Sequence, residues 1–359
     1  MRTSHPLVTV APGAGWGPVA RGTVTADEGI RLIDHVLELS WDPGYVAPAH
    51  VFDTTRKSAR LVERLAAAPL PDVRVVAPGP EHLADAEAAV ARLHDPAYVA
   101  ALRTGTPSEL ASSQGFAWDP GIWTMAVHST AGVLRAVDRA LAVGAAGSLS
   151  SGLHHARREH GAGFCTVNGL VAAIERAVAH LDATGARDAA GRPLDVVLLD
   201  VDAHFGGGSH ALLLDRPDLA ARTVVLDLST DPYDAYEPEV PDATVVLWPD
   251  DVSDDYLDTL ARMLAGVDTA AVGMVLHNAG MDPFPRVGRD DLAARERTIA
   301  DWCAAAGLPL AFVLAGGYTA SQTLDELVDL HLGTVTAVAA VAPTLAAARG
   351  SAGTEDHGE

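Results

Sequence analysis

The stretch that most constrains the fold is VVLLDVDAHFGGG, residues 196–208. It opens as a short apolar run with β-branched residues, which is typical of a strand buried on both faces. Asp200, Asp202 and His204 then follow at every second position, so a continued strand would point all three side chains to one face. Ionisable groups at the end of a buried strand are costly unless a partner such as a metal ion neutralises them. The run therefore predicts a buried strand that ends in half of a metal site.

Predicted strands alternate with predicted helices along the chain. After the opening strand come strands at 223–228, 243–247, 271–277 and 309–314, with helices at 254–264, 290–306 and 321–340. This order predicts a single α/β domain with a mostly parallel sheet flanked by helices on both faces. We expect an irregular segment rich in Gly and Pro at 1–57, the main domain at 58–345 and a disordered tail at 346–359.

The composition excludes several classes of protein. The 359 residues include 47 acidic and 25 basic ones, and the net charge of -22 opposes nucleic-acid binding. Cys165 and Cys303 are too few for a disulfide framework. The N-terminal residues contain no continuous apolar segment, and no later stretch is expected to span a bilayer. We therefore expect a soluble cytoplasmic protein with neither a nucleic-acid nor a membrane partner.

Polar residues follow four predicted strands: a short strand that ends near Ser150, the opening strand, and the strands at 271–277 and 309–314. They are His154 and His155, then Asp202 and His204, then Asn278–Asp282, and finally Gly316, Gly317 and Tyr318. In an open parallel sheet, ligands bind outside the carboxyl ends of the strands. Residues that are far apart in sequence are therefore expected to meet at one edge of the sheet.

Three of these residues suit a metal ion. Asp202, His204 and Asp282 would supply three ligands and leave a fourth position open, which is the pattern of a catalytic zinc site rather than a structural one. Water bound at such a site becomes a nucleophile near neutral pH, and the metal also polarises a carbonyl group.

The remaining residues suit proton transfer. His154 and His155 can act as general base and general acid, because imidazole titrates in the appropriate range. Tyr318 follows the flexible pair Gly316–Gly317 and can donate a hydrogen bond to a developing oxyanion. Together with the metal ligands, these residues predict the hydrolysis of an amide.

Four motifs in this order resemble the histone deacetylase family, which includes bacterial members that hydrolyse acetylpolyamines. They are GLHHA at 152–156 with GFC at 163–165, DVDAH at 200–204, NAGMD at 278–282 and AGGY at 315–318. The resemblance implies an arginase/deacetylase fold with Zn²⁺ on Asp202, His204 and Asp282. It also implies hydrolysis of an N-acyl amide, with acetyl as the expected acyl group, on lysine, a polyamine or a related amine.

The resemblance further implies roles for neighbouring residues. Asp200 would accept a hydrogen bond from His154 and orient it. A structural K⁺ would lie beside Asp200, Asp202 and the backbone of His204. The residues expected to contact the substrate are Gly163, Phe164, Gly316 and Gly317, with Asp119 as the candidate for holding a peptide backbone.

The sequence departs from the family pattern at several positions. Gly207 stands where the family usually has an Asp or Asn that contacts the second histidine of the dyad, so the sequence predicts that His155 lacks its orienting partner. Asp227 and Ser229 stand where the family tends to have Ser and His near the potassium site.

Two other functions stay open at this point. One is an arginase- or agmatinase-like enzyme, which would recruit a second metal through an Asp two residues after the ligand histidine. Gly206 occupies that position and disfavours a binuclear site. The other is a non-catalytic acyl-binding relative. The length of the acyl chain, the amine and the oligomeric state are open as well.

Overall fold

The structure is a computed structural model that describes residues 37–49, 52–231, 233–234, 244–246 and 252–352. Eight strands form one sheet: β1 (Leu37–Ser40), β2 (Val73–Val76), β3 (Ala145–Ser148), β4 (Asp195–Asp200), β5 (Thr223–Ser229), β6 (Thr244–Val246), β7 (Val272–Ala279) and β8 (Leu310–Leu314). Their order across the sheet is β2-β1-β3-β8-β7-β4-β5-β6, and every neighbouring pair is parallel.

Helices connect these strands. They are α1 (Asp53–Ala67), α2 (Pro80–Leu93), α3 (Pro96–Thr104), α4 (Ser108–Ala111), α5 (Gly121–Val143), α6 (Gly169–Thr184), α7 (Gly207–Leu214), α8 (Pro217–Ala220), α9 (Val252–Ala265), α10 (Arg289–Ala306) and α11 (Leu324–Ala352). Parallel neighbours need crossover connections, and one or more of these helices lie between successive strands from β1 to β5 and from β6 to β8.

The hydrophobic core lies in two layers, one on each face of the sheet. Along β4, Val197 and Leu199 pack with α1, α9, α10 and α11, whereas Val196 and Leu198 pack with α2, α5 and α6. Alternate residues of a strand point to opposite faces, so an apolar run without polar interruptions is what a doubly covered strand requires. The predicted α/β fold with a parallel sheet and helices on both faces is confirmed.

The N-terminal expectation was wrong where the structure describes it. Within 1–57, residues 37–40 form β1 between β2 and β3, and α1 begins at Asp53. Leu37 and Leu39 both enter one core layer, which is the two-residue spacing of a strand. Residues 1–36 lie outside the described part.

Two expectations about the C-terminal part of the chain differ from the structure. Helix α11 continues to Ala352, so a tail that is disordered from 346 onwards is not what the structure shows for 346–352. The segment Leu324–Gly350 of α11 could cross a membrane by its length and composition alone. This differs from the expectation that no stretch of the chain is apolar enough to do so. Half of that apolar window is buried, and α11 packs against α10 and α1, as a core helix does.

The strand order places the predicted site residues side by side. Strands β3, β8, β7 and β4 are consecutive neighbours, and the polar residues follow the carboxyl end of each. Since all four strands run in the same direction, their carboxyl ends meet at one edge of the sheet. The predicted convergence is therefore present.

Candidate metal and acid–base site

The chain leaves β4 through two turns made by aspartate side chains. The strand ends at Asp200, whose Oδ1 accepts a hydrogen bond from the backbone N of Asp202 at 3.1 Å. Asp202 Oδ1 in turn accepts from the backbone N of His204 at 3.2 Å. Aspartates often accept from the backbone two residues further on, and this curls the chain. The side chains of Asp202 and His204 are therefore positioned by these two turns, and not by the alternation of side chains along a continued strand.

Three potential ligand atoms lie at distances that suit one metal ion. His204 Nδ1 is 3.2 Å from Asp202 Oδ1 and 3.3 Å from Asp282 Oδ2. Two ligands of a tetrahedral zinc ion, each about 2 Å from the metal, lie about 3.3 Å apart. Among the described residues, no hydrogen bond of normal geometry reaches the buried Asp282 Oδ2, although His204 Nδ1 lies 3.3 Å away, whereas Oδ1 of the same carboxylate accepts from the backbone N of Ala203 at 3.0 Å. The donor set and the unsatisfied oxygen both fit a bound cation.

The electrostatics of these three residues also favour a cation. Burial alone would lower the pKa of His204, yet Asp202 and Asp282 raise it to about 11. Burial, followed by the Asp202 carboxylate, raises the pKa of Asp282. The buried carboxylates of Asp202 and Asp282 therefore stabilise the protonated form of His204. A metal ion there would neutralise the same charges.

Two glycines make room for the ligands. A Cβ atom on Gly316 would lie 2.1 Å from Asp282 Oδ2 and 2.6 Å from Asp202 Oδ2. A Cβ atom on Gly280 would lie 2.6 Å from Asp202 Oδ2. The backbone N of Gly316 also donates to Asp202 Oδ2 at 2.8 Å. The AGGY motif after β8 therefore packs against the candidate metal ligands Asp202 and Asp282.

The first histidine of the dyad has the predicted partner. His154 Nδ1 donates to Asp200 Oδ2 at 2.8 Å, and Asn278 Nδ2 donates to Asp200 Oδ1 at 2.8 Å. Burial alone would lower the pKa of His154, but the Asp200 and Asp202 carboxylates raise it to about 10. Asn278 belongs to the NAGMD motif, so the motif after β7 helps to hold the residue that orients His154.

The second histidine has a partner that the sequence did not indicate. His155 Nδ1 lies 2.9 Å from Asp234 Oδ2, so the expectation that His155 lacks an orienting residue was wrong. Its Nε2 faces that of His154 at 3.1 Å. Burial and the charge on His154 lower the pKa of His155 to about 4, against the raising effect of Asp234. The two histidines therefore differ in their tendency to hold a proton.

A cavity of about 640 Å³ opens onto this site. Residues of its lining include His155, His204, Tyr318, Phe164 and Tyr233. Phe164 is exposed over 43% of its surface and stacks on Phe116 with a centroid distance of 5.3 Å. Burial, followed by Asp282 and Asp202, raises the pKa of Tyr318, so its hydroxyl stays protonated and can donate. The cavity is an aromatic channel with polar groups at its inner end.

Some of the residues predicted to contact the substrate line the cavity, and others lie outside it. Gly163 and Phe164 line the cavity, and a Cβ atom on Gly163 would lie 2.4 Å from His155 Cδ2. Gly316 lines a second, smaller pocket that shares His155, Phe164 and Tyr318 with the cavity, and Gly317 lines neither of the two. Asp119 is also outside them, and its carboxylate accepts from the backbone N of Gly121 at 2.7 Å and of Ala49 at 3.1 Å.

Sequence reasoning did not identify several residues of the site. Phe52 lies 4.7 Å from Phe164 and 5.9 Å from Tyr318 between ring centroids, so it extends the aromatic wall. Lys57 is fully buried and donates to the carbonyl oxygens of Ala315 and Gly316, behind Tyr318. The HVFDTTRK segment offered no periodicity or charge pattern that would have revealed either role.

A buried arginine holds the turns that carry two of the candidate ligands, Asp202 and Asp282. Arg295 of α10 has no exposed surface and donates to Val201 O at 3.0 Å and Gly280 O at 2.7 Å. These carbonyl groups belong to the residue before Asp202 and to the turn before Asp282. The neighbouring Glu296 accepts from Arg295 at 2.7 Å, so the arginine charge is paired. The ligand turns are therefore tied to the helix layer beneath the sheet.

The sequence is similar to those of known proteins. Residues 50–335 match the model of the histone deacetylase domain. An uncharacterized protein of Picosynechococcus sp. is 28% identical over 249 residues, which cover 67% of this chain and 77% of that protein. The match to the domain model includes well over half of the chain. The protein belongs to the histone deacetylase family.

Solved structures show the same fold at low sequence identity. The acetylpolyamine aminohydrolase from Burkholderia pseudomallei superposes with a TM-score of 0.62 at 18% identity, covering 85% of this chain and 99% of that chain. The HD domain of HDA15 superposes with a TM-score of 0.60 at 16% identity, covering 88% of this chain and 99% of that chain. At this identity the likeness is one of fold.

Proposed function

We propose that this protein is a zinc-dependent deacylase that hydrolyses an N-acyl amide on an amine-bearing substrate. The observation that carries the proposal is the placement of Asp202, His204 and Asp282, with ligand atoms at tetrahedral spacing, next to the paired histidines. Family membership supports the same activity. When bound there, zinc would polarise the acyl carbonyl and activate water as a nucleophile.

The protein's own residues divide the proton transfers. His155 donates through Nδ1 to Asp234, which leaves the lone pair of Nε2 able to accept a proton as a general base. His154 lies between the carboxylates of Asp200 and Asp202, which stabilise its protonated form, so it is placed to pass a proton to the leaving amine. Tyr318 keeps its hydroxyl proton and would donate to the acyl oxygen as negative charge develops.

The shape of the cavity supports a substrate with a slender arm. The ring of Phe164, which lines the cavity and packs against Phe52 and Phe116, would contact an aliphatic chain and exclude water from it. An acylated polyamine or an acyl-lysine side chain has this form. The structural likeness to a protein named acetylpolyamine aminohydrolase agrees with a small amine substrate. A structural K⁺ near Asp200 stays a prediction.

The test is a panel of amides on the zinc-loaded protein. Acetyl, propionyl and longer acyl groups on lysine and on polyamines are offered to wild type, to Tyr318→Phe and to chelator-treated protein. We expect release of the free amine, restored by added zinc after chelation, and a loss of about 100-fold in kcat for Tyr318→Phe.

A matched variant separates chemistry from folding. Tyr98→Phe removes a buried hydroxyl that donates to Thr166 O at 2.6 Å outside the cavity lining, so it should leave kcat within about 3-fold. Absence of chelator-sensitive turnover across the panel would favour an acyl-binding protein. Two manganese ions per chain with guanidine-group hydrolysis would favour an arginase-like enzyme.

A further inference from the structure

The carboxylate that faces His155 comes from a part of the chain well after the DVDAH motif. Asp234 follows β5, and its Oδ2 lies 2.9 Å from His155 Nδ1. The Asp234 side chain is 9% exposed and that of His155 is 4% exposed, so water has little access to this contact. A carboxylate can only accept here, so His155 must carry its proton on Nδ1. The contact therefore fixes the tautomer of the ring.

The Asp234 carboxylate fills the space next to Gly207. A Cβ atom built on Gly207 would lie 2.7 Å from Cγ, Oδ1 and Oδ2 of Asp234. Atoms do not approach so closely without displacement, so a side chain at 207 and the carboxylate of Asp234 cannot both occupy this space. Gly207 has no positive φ, so its backbone does not require glycine. The absence of a side chain at 207 is explained by the presence of Asp234.

Arg157 connects the two positions. Its guanidinium donates to Asp234 Oδ1 at 2.5 Å and to the carbonyl oxygen of Gly207 at 3.2 Å. Asp234 itself has a φ of 65°, a conformation that few residues other than Gly, Asn and Asp adopt. Such a conformation persists only where surrounding contacts hold it in place. His155 and Arg157 supply those contacts, one on each oxygen of the carboxylate.

We propose that Asp234 is the positioning residue for His155 and takes, from a different loop, the place that a side chain at position 207 would otherwise fill. The carboxylate holds the ring with Nε2 directed to the inner end of the cavity. This inference rests on the proposed deacylase function, in which His155 exchanges protons. It identifies a residue that matters for the rate although it does not line the cavity.

The test is a reciprocal exchange between the two positions. In Asp234→Ala, kcat should fall about 10- to 100-fold with KM changed less than about 3-fold, since only the orientation of the dyad is lost. Gly207→Asp alone should also lower activity, because the new side chain displaces Asp234. The double variant should be at least about 5-fold more active than either single variant, since the carboxylate at 207 then enters the vacated space. A double variant no better than Asp234→Ala would overturn the proposal.

A control addresses damage to the loop. Thermal unfolding of Asp234→Ala is recorded beside that of wild type, and the double variant serves as the activity control, because a carboxylate restored at 207 does not repair a damaged loop. If Asp234→Ala unfolds at a much lower temperature and the double variant does not recover kcat, the effect belongs to the loop and the proposal fails.

A second measurement needs neither zinc nor substrate. Nitrogen-15 NMR of the His155 ring in metal-free protein should show the Nδ1–H tautomer in wild type and a shift toward Nε2–H in Asp234→Ala. An unchanged tautomer in the variant would refute the role of Asp234. If wild type hydrolyses none of the amides, the proposed function fails, while this spectrum still decides whether Asp234 sets the state of His155.

Discussion

Replacing Gly316 by alanine tests whether the AGGY backbone sets the metal geometry. The added Cβ would lie 2.1 Å from Asp282 Oδ2, whereas real Cβ atoms essentially never come within 3.0 Å of such a neighbour. The shortfall of about 0.9 Å must be absorbed by Asp282 or by the loop. Metal–ligand bonds tolerate errors of only about 0.2 Å, so this displacement amounts to the loss of one ligand. We expect zinc affinity to fall at least about 100-fold, or about 2.7 kcal/mol.

Zinc affinity is measured by competition with a chromophoric chelator, and thermal unfolding of the metal-free protein is recorded in parallel. The matched control is Gly333→Ala in α11, where an added Cβ meets nothing within 4 Å. It should bind zinc as wild type does and unfold at the same or a slightly higher temperature. If Gly316→Ala binds zinc within about 3-fold of wild type while folding normally, the reasoning from close packing is refuted.

Two further predictions concern stability. Arg295→Met removes the guanidinium that pairs with the buried Glu296 and leaves this carboxylate with its 3.0 Å contact to His277 Nε2, so the free energy of unfolding should fall by about 3–5 kcal/mol in urea titrations, and a loss below about 1 kcal/mol would contradict this. Burial lowers the pKa of His94 to about 4; Asn168 N donates to its Nε2 at 3.0 Å, which requires the neutral ring. Between pH 6.5 and 4 the unfolded chain therefore binds a proton that the folded chain does not, and stability falls as the pH drops. Comparing pH 7 with pH 4.5, wild type should lose about 2–3 kcal/mol more than His94→Gln, and equal losses would contradict the assignment.

The glycine run shows how far sequence reasoning reached. The GGG run at 206–208 follows the ligand histidine, and α7 begins at Gly207, so two of its three glycines lie in the first turn of that helix. Each glycine meets a different part of the site: an added Cβ would approach Asp200 at position 206, Asp234 at 207 and the His155 backbone at 208. Sequence spacing could indicate a break in the strand. It could not indicate which side chain comes to fill the space beside Gly207.

The sequence by itself determined the layered α/β fold, because doubly buried parallel strands need uninterrupted apolar runs separated by helices. It also determined which residue types gather at the carboxyl ends of β3, β4, β7 and β8, because parallel strands bring those ends together. Only the tertiary structure decided how the gathered groups are oriented. Asp234 reaches His155 and Arg295 reaches the ligand turns through contacts between distant segments. Such contacts depend on distances of a few tenths of an ångström, which no periodicity in the chain records.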